Sequence, residues 1–320
     1  MKFDNVKDAA RRLGLGKIAL YAYHKPVGLT RKSIREGGPI QQLKTARGKR
    51  EMIEAAGHLP ELLRPVADNG LTVYFMTGSR YWYQTVFCFF SLQKNVPDEV
   101  ITPILIDDGT LTEAYVDKIR RVVPWVEVWS LATIEERLDQ YLPSSKYPTL
   151  RERRNEQPLI RKVLDLHVGE RGWKMLLDSD MLFFRRPDHM LQWLRNPRKP
   201  YYMVDCMTAY GYSDALRCDL AGHPIPDRIN IGMFGWNSDD VDVGRLEYWV
   251  KTLLEREGTH YNLTQGLCSM MYAGRESEVA PEKDYLVLPD VQEGKIPTAT
   301  LHHYVAESKR AYFQYGWRHI

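Results

Sequence analysis

The stretch KMLLDSDMLFF, residues 174–184, is an apolar run that two aspartates interrupt. Its first half is typical of a buried strand, which we expect to end at Asp178. Side chains two positions apart in an extended chain point to the same side. The carboxylates of Asp178 and Asp180 should therefore face one cleft, while Ser179 between them points away.

Two carboxylates that lie close together and partly out of water need a cation, or one of them must take up a proton. We therefore predict a divalent metal ion at Asp178 and Asp180. The alternative is a pair neutralised by the nearby Arg185 and Arg186. A second Asp-x-Asp, at residues 240–242, precedes a helical pattern and is interpreted as a helix start, where aspartates cap free N–H groups.

Strands and helices alternate on both sides of this stretch. The pattern is typical of an α/β fold with a mixed, mainly parallel sheet flanked by helices, in which ligands bind beyond the carboxyl ends of the strands. The part of the chain from Tyr285 onward is expected to be strand and loop. Strands are predicted at residues 71–77, 100–106, 126–130, 173–177, 201–205 and 230–236, and helices at 51–66, 80–94, 112–122, 159–168 and 243–257.

The composition limits the class of protein. A chain of 320 residues with 44% apolar and 27% charged residues is neither disordered nor fibrous. No apolar stretch approaches the roughly 20 residues of a membrane span, and the start of the chain lacks a signal-peptide core, so we expect a cytoplasmic protein. The cysteines form no C-x-x-C pair, which argues against a zinc knuckle and fits reduced thiols. They are Cys88, Cys206, Cys218 and Cys268.

The net charge of +3 hides an asymmetry along the chain. Residues 1–68 hold 14 Lys or Arg against 7 Asp or Glu, whereas the rest holds 30 against 34. We predict a basic, mainly helical extension at 1–68 and a separate domain at 69–320. The extension suits an anionic partner such as the inner face of a membrane, and the alternative is a solvated helix face. No nucleic-acid-binding motif accompanies it, so no nucleic-acid partner is expected.

The stretch at 174–184 resembles the metal-binding motif of GT-A glycosyltransferases, which use nucleotide-sugar donors. Over about residues 70–312, further segments resemble the glycogenin-like and lipopolysaccharide-galactosyltransferase-like group of these enzymes, family 8. The resemblance implies that residues 69–320 form a GT-A domain. The matching positions are Arg161 on the preceding helix, Asp205 at the end of the next strand, Asn230 and Gly232 of an N-x-G strand, Gln265, and His303-Tyr304 followed by Lys309.

The resemblance also implies a role for each of these positions. Asp178, Asp180 and His303 would hold Mn²⁺, with Mg²⁺ as the alternative, since two carboxylates and an imidazole suit these ions and no thiolate points to zinc. Arg161 and Lys309 would contact the diphosphate of the nucleotide-sugar. Thr77, Arg80, Asp107 and Ser179 are further candidate contacts to the nucleotide-sugar, and Gln265, Asp205 and Asn230 are the candidate catalytic residues at the transferred sugar.

The chain departs from the family pattern at several positions near these residues. Ala306 stands where the family has glycine, and Arg310 stands where it has proline. Thr264 and Gly266 replace both aspartates that flank the family's central glutamine. Asp107, with Asp108 and Gly109 after it, has the alternative interpretation of a turn former.

The sequence thus predicts a metal-dependent enzyme that moves a hexose from a nucleotide diphosphate, in the simplest case UDP, to an acceptor hydroxyl with retention. The acceptor, whether a glycan, a lipid-linked molecule or a protein, is left open. One alternative is a haloacid-dehalogenase-type phosphohydrolase, with Asp178 as nucleophile and Asp180 as acid. The other is a non-catalytic sugar-binding module derived from a glycosyltransferase.

Overall fold

The computed structural model describes residues 37–320, so the first 36 residues of the predicted N-terminal extension lie outside the described residues. The described part of the extension begins with helix α1 (Pro39–Ala56). Proline is tolerated in the first turn because its missing N–H would have no helical partner there. The prediction of a helix over 51–66 is wrong beyond α1, because Pro60 and Pro65 cannot donate to a helix.

Strands and helices alternate from residue 67 to residue 177, as the sequence predicts. Each strand includes apolar residues and ends at a polar or glycine-containing loop. The strands are β1 (Ala67–Thr77), β2 (Glu99–Asp107), β3 (Glu127–Trp129) and β4 (Trp173–Leu177), and the helices are α2 (Trp82–Lys94), α3 (Glu113–Val122), α4 (Leu131–Tyr141), α5 (Pro148–Glu156) and α6 (Arg161–His167).

The remainder of the chain adds shorter elements. Two short helices after Tyr285, at Val291–Lys295 and Lys309–Gln314, correct the expectation of strand and loop there. The strands are β5 (Met181–Phe183), β6 (Tyr201–Val204), β7 (Ile229–Asn237), β8 (Glu278–Val279), β9 (Tyr285–Val287) and β10 (Leu301–His303). The helices are α7 (Asp188–Arg195), α8 (Asp214–Ala221), α9 (Val243–Glu257), α10 (Leu263–Met271), α11 (Val291–Lys295) and α12 (Lys309–Gln314).

Within residues 37–320, the larger sheet has seven strands in the order β3-β2-β1-β4-β7-β6-β8. Pairings among β1 to β4 are parallel, whereas β7 runs antiparallel to both β4 and β6. Neighbouring residues of β1 reach opposite faces: Phe75 packs in one apolar core and Tyr74 in another. The predicted α/β fold, with a mixed and mainly parallel sheet flanked by helices, is confirmed.

A second, three-stranded sheet has the order β5-β10-β9. Its β10 lies antiparallel to β5, and the register pairs His303 with Met181. The backbone N–H of Tyr304 then donates to the carbonyl of Asp180 at 2.9 Å. This pairing brings a histidine from near the end of the chain to the Asp-x-Asp at its middle.

Helix α1 packs on α12 and on the residues after it. Gln314 in α12 donates from Nε2 to the carbonyl of Gln41 at 3.1 Å and to Oγ1 of Thr45 at 2.9 Å. Arg318 forms an ion pair with Glu51. The described part of the extension is therefore joined to the C-terminal segment, and the division of the chain at residue 68 stays a prediction.

No helix among residues 37–320 combines the length and the apolar character that crossing a bilayer would require.

Candidate active site

The side chains of Asp178, Asp180 and His303 converge beyond the carboxyl end of β4. One potential ligand atom from each lies within 4.8 Å of the other two. His303 Nε2 is 3.2 Å from Oδ1 of Asp180 and 3.6 Å from Oδ2 of Asp178. Both aspartates are partly exposed, whereas His303 is buried. The predicted trio thus comes together at one point.

Two lysines neutralise the carboxylates. Lys162, in the first turn of α6, places its Nζ 2.6 Å from Oδ1 of Asp178. Lys309, at the start of α12, places its Nζ 2.5 Å from Oδ2 of Asp180. The alternative in which Arg185 and Arg186 pair with the aspartates is wrong: Arg186 pairs with acidic residues on other elements, and Arg185 is exposed.

Lys162 is the functional candidate that the sequence analysis missed. The family resemblance points to its neighbour Arg161, but α6 turns the two side chains in different directions. Lys162 is buried and reaches Asp178, while Arg161 donates from Nη1 to the carbonyl of Asp108 at 2.9 Å. A lysine on a helix that is otherwise buried was the available signal, because a buried ammonium group needs an anionic partner.

These charges shift the pKa values of Asp180 and His303. Burial alone would raise the pKa of Asp180, but Lys309 and His303 outweigh it and hold that pKa below its usual range. Burial alone would lower the pKa of His303, but Asp180 and Asp178 outweigh it and raise that pKa to about 9. The imidazole therefore needs a positive charge at Nε2, either its own proton or a cation.

The residues present fit a divalent ion. The Nε2 atom of His303 is buried and makes no well-formed hydrogen bond to any residue of the described range. Its other nitrogen, Nδ1, donates to Oδ1 of Asn230 at 3.0 Å, so Nε2 is the nitrogen that faces the carboxylates and that could exchange its proton for a metal ion. Carboxylate oxygens with one imidazole nitrogen suit Mn²⁺ or Mg²⁺.

The N-x-G strand holds His303 in place. Oδ1 of Asn230 also accepts from the backbone N–H of Gly232 at 2.9 Å. A Cβ at Gly232 would lie 2.2 Å from Cε1 of His303 and 2.8 Å from Oδ1 of Asn230. Only a glycine leaves room for the imidazole at this position.

A hydrogen-bonded chain extends from His303 to the candidate catalytic residues. Nδ2 of Asn230 donates to Oδ2 of Asp205 at 2.8 Å, and Nε2 of Gln265 donates to the same oxygen at 3.2 Å. Gln265 also donates to the carbonyl of Ile229 at 2.9 Å. The structure brings Asn230, Asp205 and Gln265 together beside the acidic pair.

The other candidate contacts to the nucleotide-sugar lie at the ends of β1 and β2. Oδ1 of Asp107 accepts from the N–H groups of Gly109 at 2.7 Å and Leu111 at 3.0 Å, so it does form the turn. Arg80 is exposed on the neighbouring loop. Arg161 also reaches this edge, because it donates to the carbonyl of Asp108. The side chains of Arg80, Asp107 and Arg161 therefore lie along the same edge of the sheet.

The hydroxyl groups of Thr77 and Ser179 face the interior. Both are hydrogen-bonded to Oγ1 of Thr85 in α2, at 2.7 Å and 2.8 Å. The prediction that Ser179 points away from the carboxylates is confirmed. Contacts from Thr77 or Ser179 to a nucleotide-sugar stay a prediction.

Three solved structures that are similar to this chain in fold are glycosyltransferases. Galactosyltransferase LgtC, solved with donor and acceptor sugar analogues, is 12% identical, with 73% of this chain and 86% of that chain covered and a TM-score of 0.48. Mouse xyloside xylosyltransferase 1, in its apo form, is 12% identical, with 74% and 97% covered and a TM-score of 0.49. The bifunctional glycosyltransferase WbbM is 12% identical, with 76% and 47% covered and a TM-score of 0.49. No family model and no curated protein sequence matches the chain.

Proposed function

We propose that the protein transfers a hexose from a nucleotide diphosphate, UDP in the simplest case, to an acceptor hydroxyl, and that the reaction depends on a divalent metal ion. The observation that supports this most directly is the buried Nε2 of His303, which faces two carboxylates and lacks a hydrogen-bond partner in the described range. A nitrogen placed in this way is suited to complete an ion site that Asp178 and Asp180 begin.

The charges of the site suit a diphosphate. The two carboxylates and the two lysine ammonium groups balance each other. A divalent cation would therefore leave the site with a charge of about +2, which is opposite to the charge of a bound diphosphate. A site without that anion would hold uncompensated charge close to a low-dielectric interior, which is unfavourable.

Transfer breaks the bond between the anomeric carbon and the diphosphate oxygen and forms a bond from that carbon to the acceptor oxygen, while the acceptor proton passes to the leaving diphosphate. A bound Mn²⁺ or Mg²⁺ would supply Lewis-acid stabilisation of the negative charge on the leaving diphosphate. Lys309 and Lys162 place positive charges beside the two carboxylates that would hold this ion, and we assign both to the support of the phosphate oxygens.

Gln265 is assigned to the sugar. Its amide N–H groups are used by Asp205 and by the carbonyl of Ile229, so its Oε1 is the atom left to face a ligand. An amide oxygen is a poor nucleophile, and we therefore favour retention through substitution on one face of the sugar over a covalent intermediate. Asp205 and Asn230 position the amide.

The nucleotide is assigned to the edge formed by the loops after β1 and β2. Asp108 donates from its backbone N–H to the carbonyl of Thr77 at 3.0 Å, and Ser79 donates to Oγ1 of Thr110 at 2.9 Å. These bonds join the two loops into one surface. Arg80, Asp107 and Arg161 are the side chains there that we assign to the base, ribose or diphosphate.

Two further assignments remain predictions from the sequence. The first is a cytoplasmic location, with peripheral membrane contact through the basic extension at 1–68. The second is that nucleic acid is not a partner. The identity of the sugar and of the acceptor depends on pocket shape, which fold alone does not define.

The experiment combines binding and turnover with a panel of nucleotide-sugars. Thermal stability is measured with each sugar nucleotide, with Mn²⁺, and with both together. We expect the wild type to gain stability when both are present, and Asp180→Asn to gain none. Turnover by Asp180→Asn should fall at least about 100-fold, which corresponds to roughly 3 kcal/mol of barrier.

Asp240→Asn is the matched control, since Asp240 belongs to the second Asp-x-Asp and forms an exposed ion pair with Arg275. It should behave as the wild type does. Equal stabilisation of wild type and Asp180→Asn would contradict the metal assignment. Release of phosphate from phosphomonoesters, or sugar-nucleotide binding without any turnover, would contradict the transfer reaction.

A further inference from the structure

Three features that the candidate active site does not use meet in one cavity. The cavity has a volume of about 250 Å³ and lies between α1 and the segment 306–313. Its walls include Ala306 and Arg310, the two positions at which the chain departs from the family's terminal motif. Residues of α1, which has no counterpart in that family pattern, form the opposite wall.

The cavity is cationic. Lys49, Lys309 and Arg310 line it, against the single carboxylate of Glu307. Lys309 is engaged by Asp180. Among the residues that the structure describes, neither Lys49 nor Arg310 forms a salt bridge; Lys49 only lies 6.0 Å from the ring of Phe313. Two positive charges in this concave surface are thus available to a ligand, and such clefts concentrate anions.

Arg310 also carries an unsatisfied hydrogen-bond donor. Its Nε is buried and donates to no acceptor in residues 37–320. Leaving a buried donor of a charged group unpaired costs folding free energy, so each such group calls for an explanation. The guanidinium group of Arg310 lines the cavity, and such a group is well suited to bind the oxygens of a phosphate in a two-pronged manner.

Part of the remaining lining is apolar. The ring of Phe313 and the methyl groups of Ala46 and Ala306 form this part of the wall. Ala306 keeps its side chain although its φ of 43° lies in the left-handed region, which favours glycine. An apolar wall next to two cations suits a phosphate that carries an organic group better than it suits a bare inorganic ion.

We propose that this cavity binds a phosphate ester, through Arg310 and Lys49, and that the ester belongs to the acceptor. The binding of the ester does not depend on the proposed transfer reaction, whereas its assignment to the acceptor rests on that reaction. The cavity adjoins Lys309, whose Nζ lies 2.5 Å from the carboxylate of Asp180, so an acceptor held here would reach the candidate active site.

The test uses glycerol 3-phosphate as the probe and the full chain as the protein. Its dissociation constant is measured by calorimetry, and the Arg310 Nε–H proton is followed by NMR after assignment with Arg310→Lys. We expect the resonance of that proton to shift on titration, because the ligand binds to the same guanidinium group. Arg310→Gln and Lys49→Gln should each weaken binding at least tenfold, whereas the matched controls Arg198→Gln and Lys251→Gln, at exposed positions, should not change it.

A second titration is made with UDP and Mn²⁺ at saturation. Retained binding of glycerol 3-phosphate supports a separate subsite, and competition with UDP overturns it. Vesicles of phosphatidylglycerol and of phosphatidylcholine then distinguish the source of the ester. If the wild type binds vesicles of phosphatidylglycerol but not of phosphatidylcholine, and Arg310→Gln loses this binding, the ester is a lipid headgroup. If the wild type and Arg310→Gln bind both kinds of vesicle equally, the ester belongs to a soluble acceptor. Equal affinity of wild type and Arg310→Gln for glycerol 3-phosphate would overturn the proposal whether or not UDP binds.

Discussion

Gly48 of α1 lies directly against the main chain of Phe313 in α12. A Cβ at Gly48 would be 2.0 Å from the carbonyl oxygen of Phe313 and 2.8 Å from its carbonyl carbon. Because backbone atoms cannot move aside as a flexible side chain can, this contact sets the distance between the two helices. Helix α12 begins with Lys309, so the position of α1 is coupled to the lysine that pairs with Asp180.

Gly48→Ala should therefore destabilise the protein by about 1–3 kcal/mol, the usual cost of inserting a methyl group where there is no room. The free energy of unfolding in urea measures this. Gly244→Ala is the control, since it also adds a methyl group to a helix but the nearest atom lies 3.4 Å away. There we expect a gain of up to about 1 kcal/mol from helix propensity. Equal effects of the two substitutions would show that the Gly48 contact is not tight.

Replacing Ala306 by glycine should stabilise the protein. Its φ of 43° places a side chain in the left-handed region, at a cost of roughly 1–2 kcal/mol. Ala306→Gly removes this strain and adds some entropy to the unfolded chain, so we expect a net gain of about 0.5–1 kcal/mol in urea unfolding. Ala132→Gly, at an exposed position in α4, should instead lose about 1 kcal/mol. A loss at Ala306 as well would mean that its methyl group stabilises the cavity wall more than the backbone is strained.

The strands of the larger sheet were predictable because their signal is local. An apolar run that ends at a polar loop, such as β4 before Asp178, needs no knowledge of its neighbours. The start of α9 was predictable for the same reason: Asp242 caps it by accepting from the N–H of Arg245 at 2.9 Å. The convergence of Asp178, Asp180 and His303 was anticipated through the resemblance of motifs.

The parts that could not be predicted depend on tertiary contacts. The pairing of Lys162 with Asp178 joins α6 to the end of β4, and no spacing in the sequence encodes that distance. The same holds for Gly48, whose proximity to Phe313 joins two segments far apart in sequence. The short helix α12 was missed because its six residues are too few to show a helical period.

Glu293 makes a pH-dependent contribution to the free energy of unfolding. Partial burial would raise the pKa of Glu293, but hydrogen bonds from Ala299, Thr298 and His302 outweigh it and lower that pKa to about 2. A carboxyl group with a lowered pKa in the folded state contributes stability above its unfolded pKa, near 4.5, and this contribution is lost as the pH falls toward 2.

The free energy of unfolding of the wild type should thus fall between about pH 4.5 and pH 2 more steeply than that of Glu293→Gln, which has no carboxyl group to protonate. Urea unfolding at several pH values measures the two slopes. Glu255→Gln, which removes one partner of a long, exposed ion pair with Lys251, is the control and should keep the wild-type slope. Identical slopes for the wild type and Glu293→Gln would contradict the contribution assigned to Glu293.

Removing the positive charge of Lys162 is expected to strengthen metal binding but to slow turnover. Its ammonium group lies 2.6 Å from an oxygen of Asp178 and so competes with a cation for that oxygen. Lys162→Met should therefore bind Mn²⁺ more tightly, by about tenfold, because a nearby like charge has been removed. The same change removes a positive charge from the position where the leaving diphosphate becomes negative, so turnover should fall at least about tenfold.

Calorimetry with Mn²⁺ and initial rates with the nucleotide-sugar that the panel identifies measure the two effects. Lys174→Met is the control for losing a buried lysine, because Lys174 interacts with Glu170 at the opposite end of β4 and should leave Mn²⁺ affinity unchanged. Weaker Mn²⁺ binding by Lys162→Met would mean that Lys162 organises the carboxylates for the ion and does not compete with it.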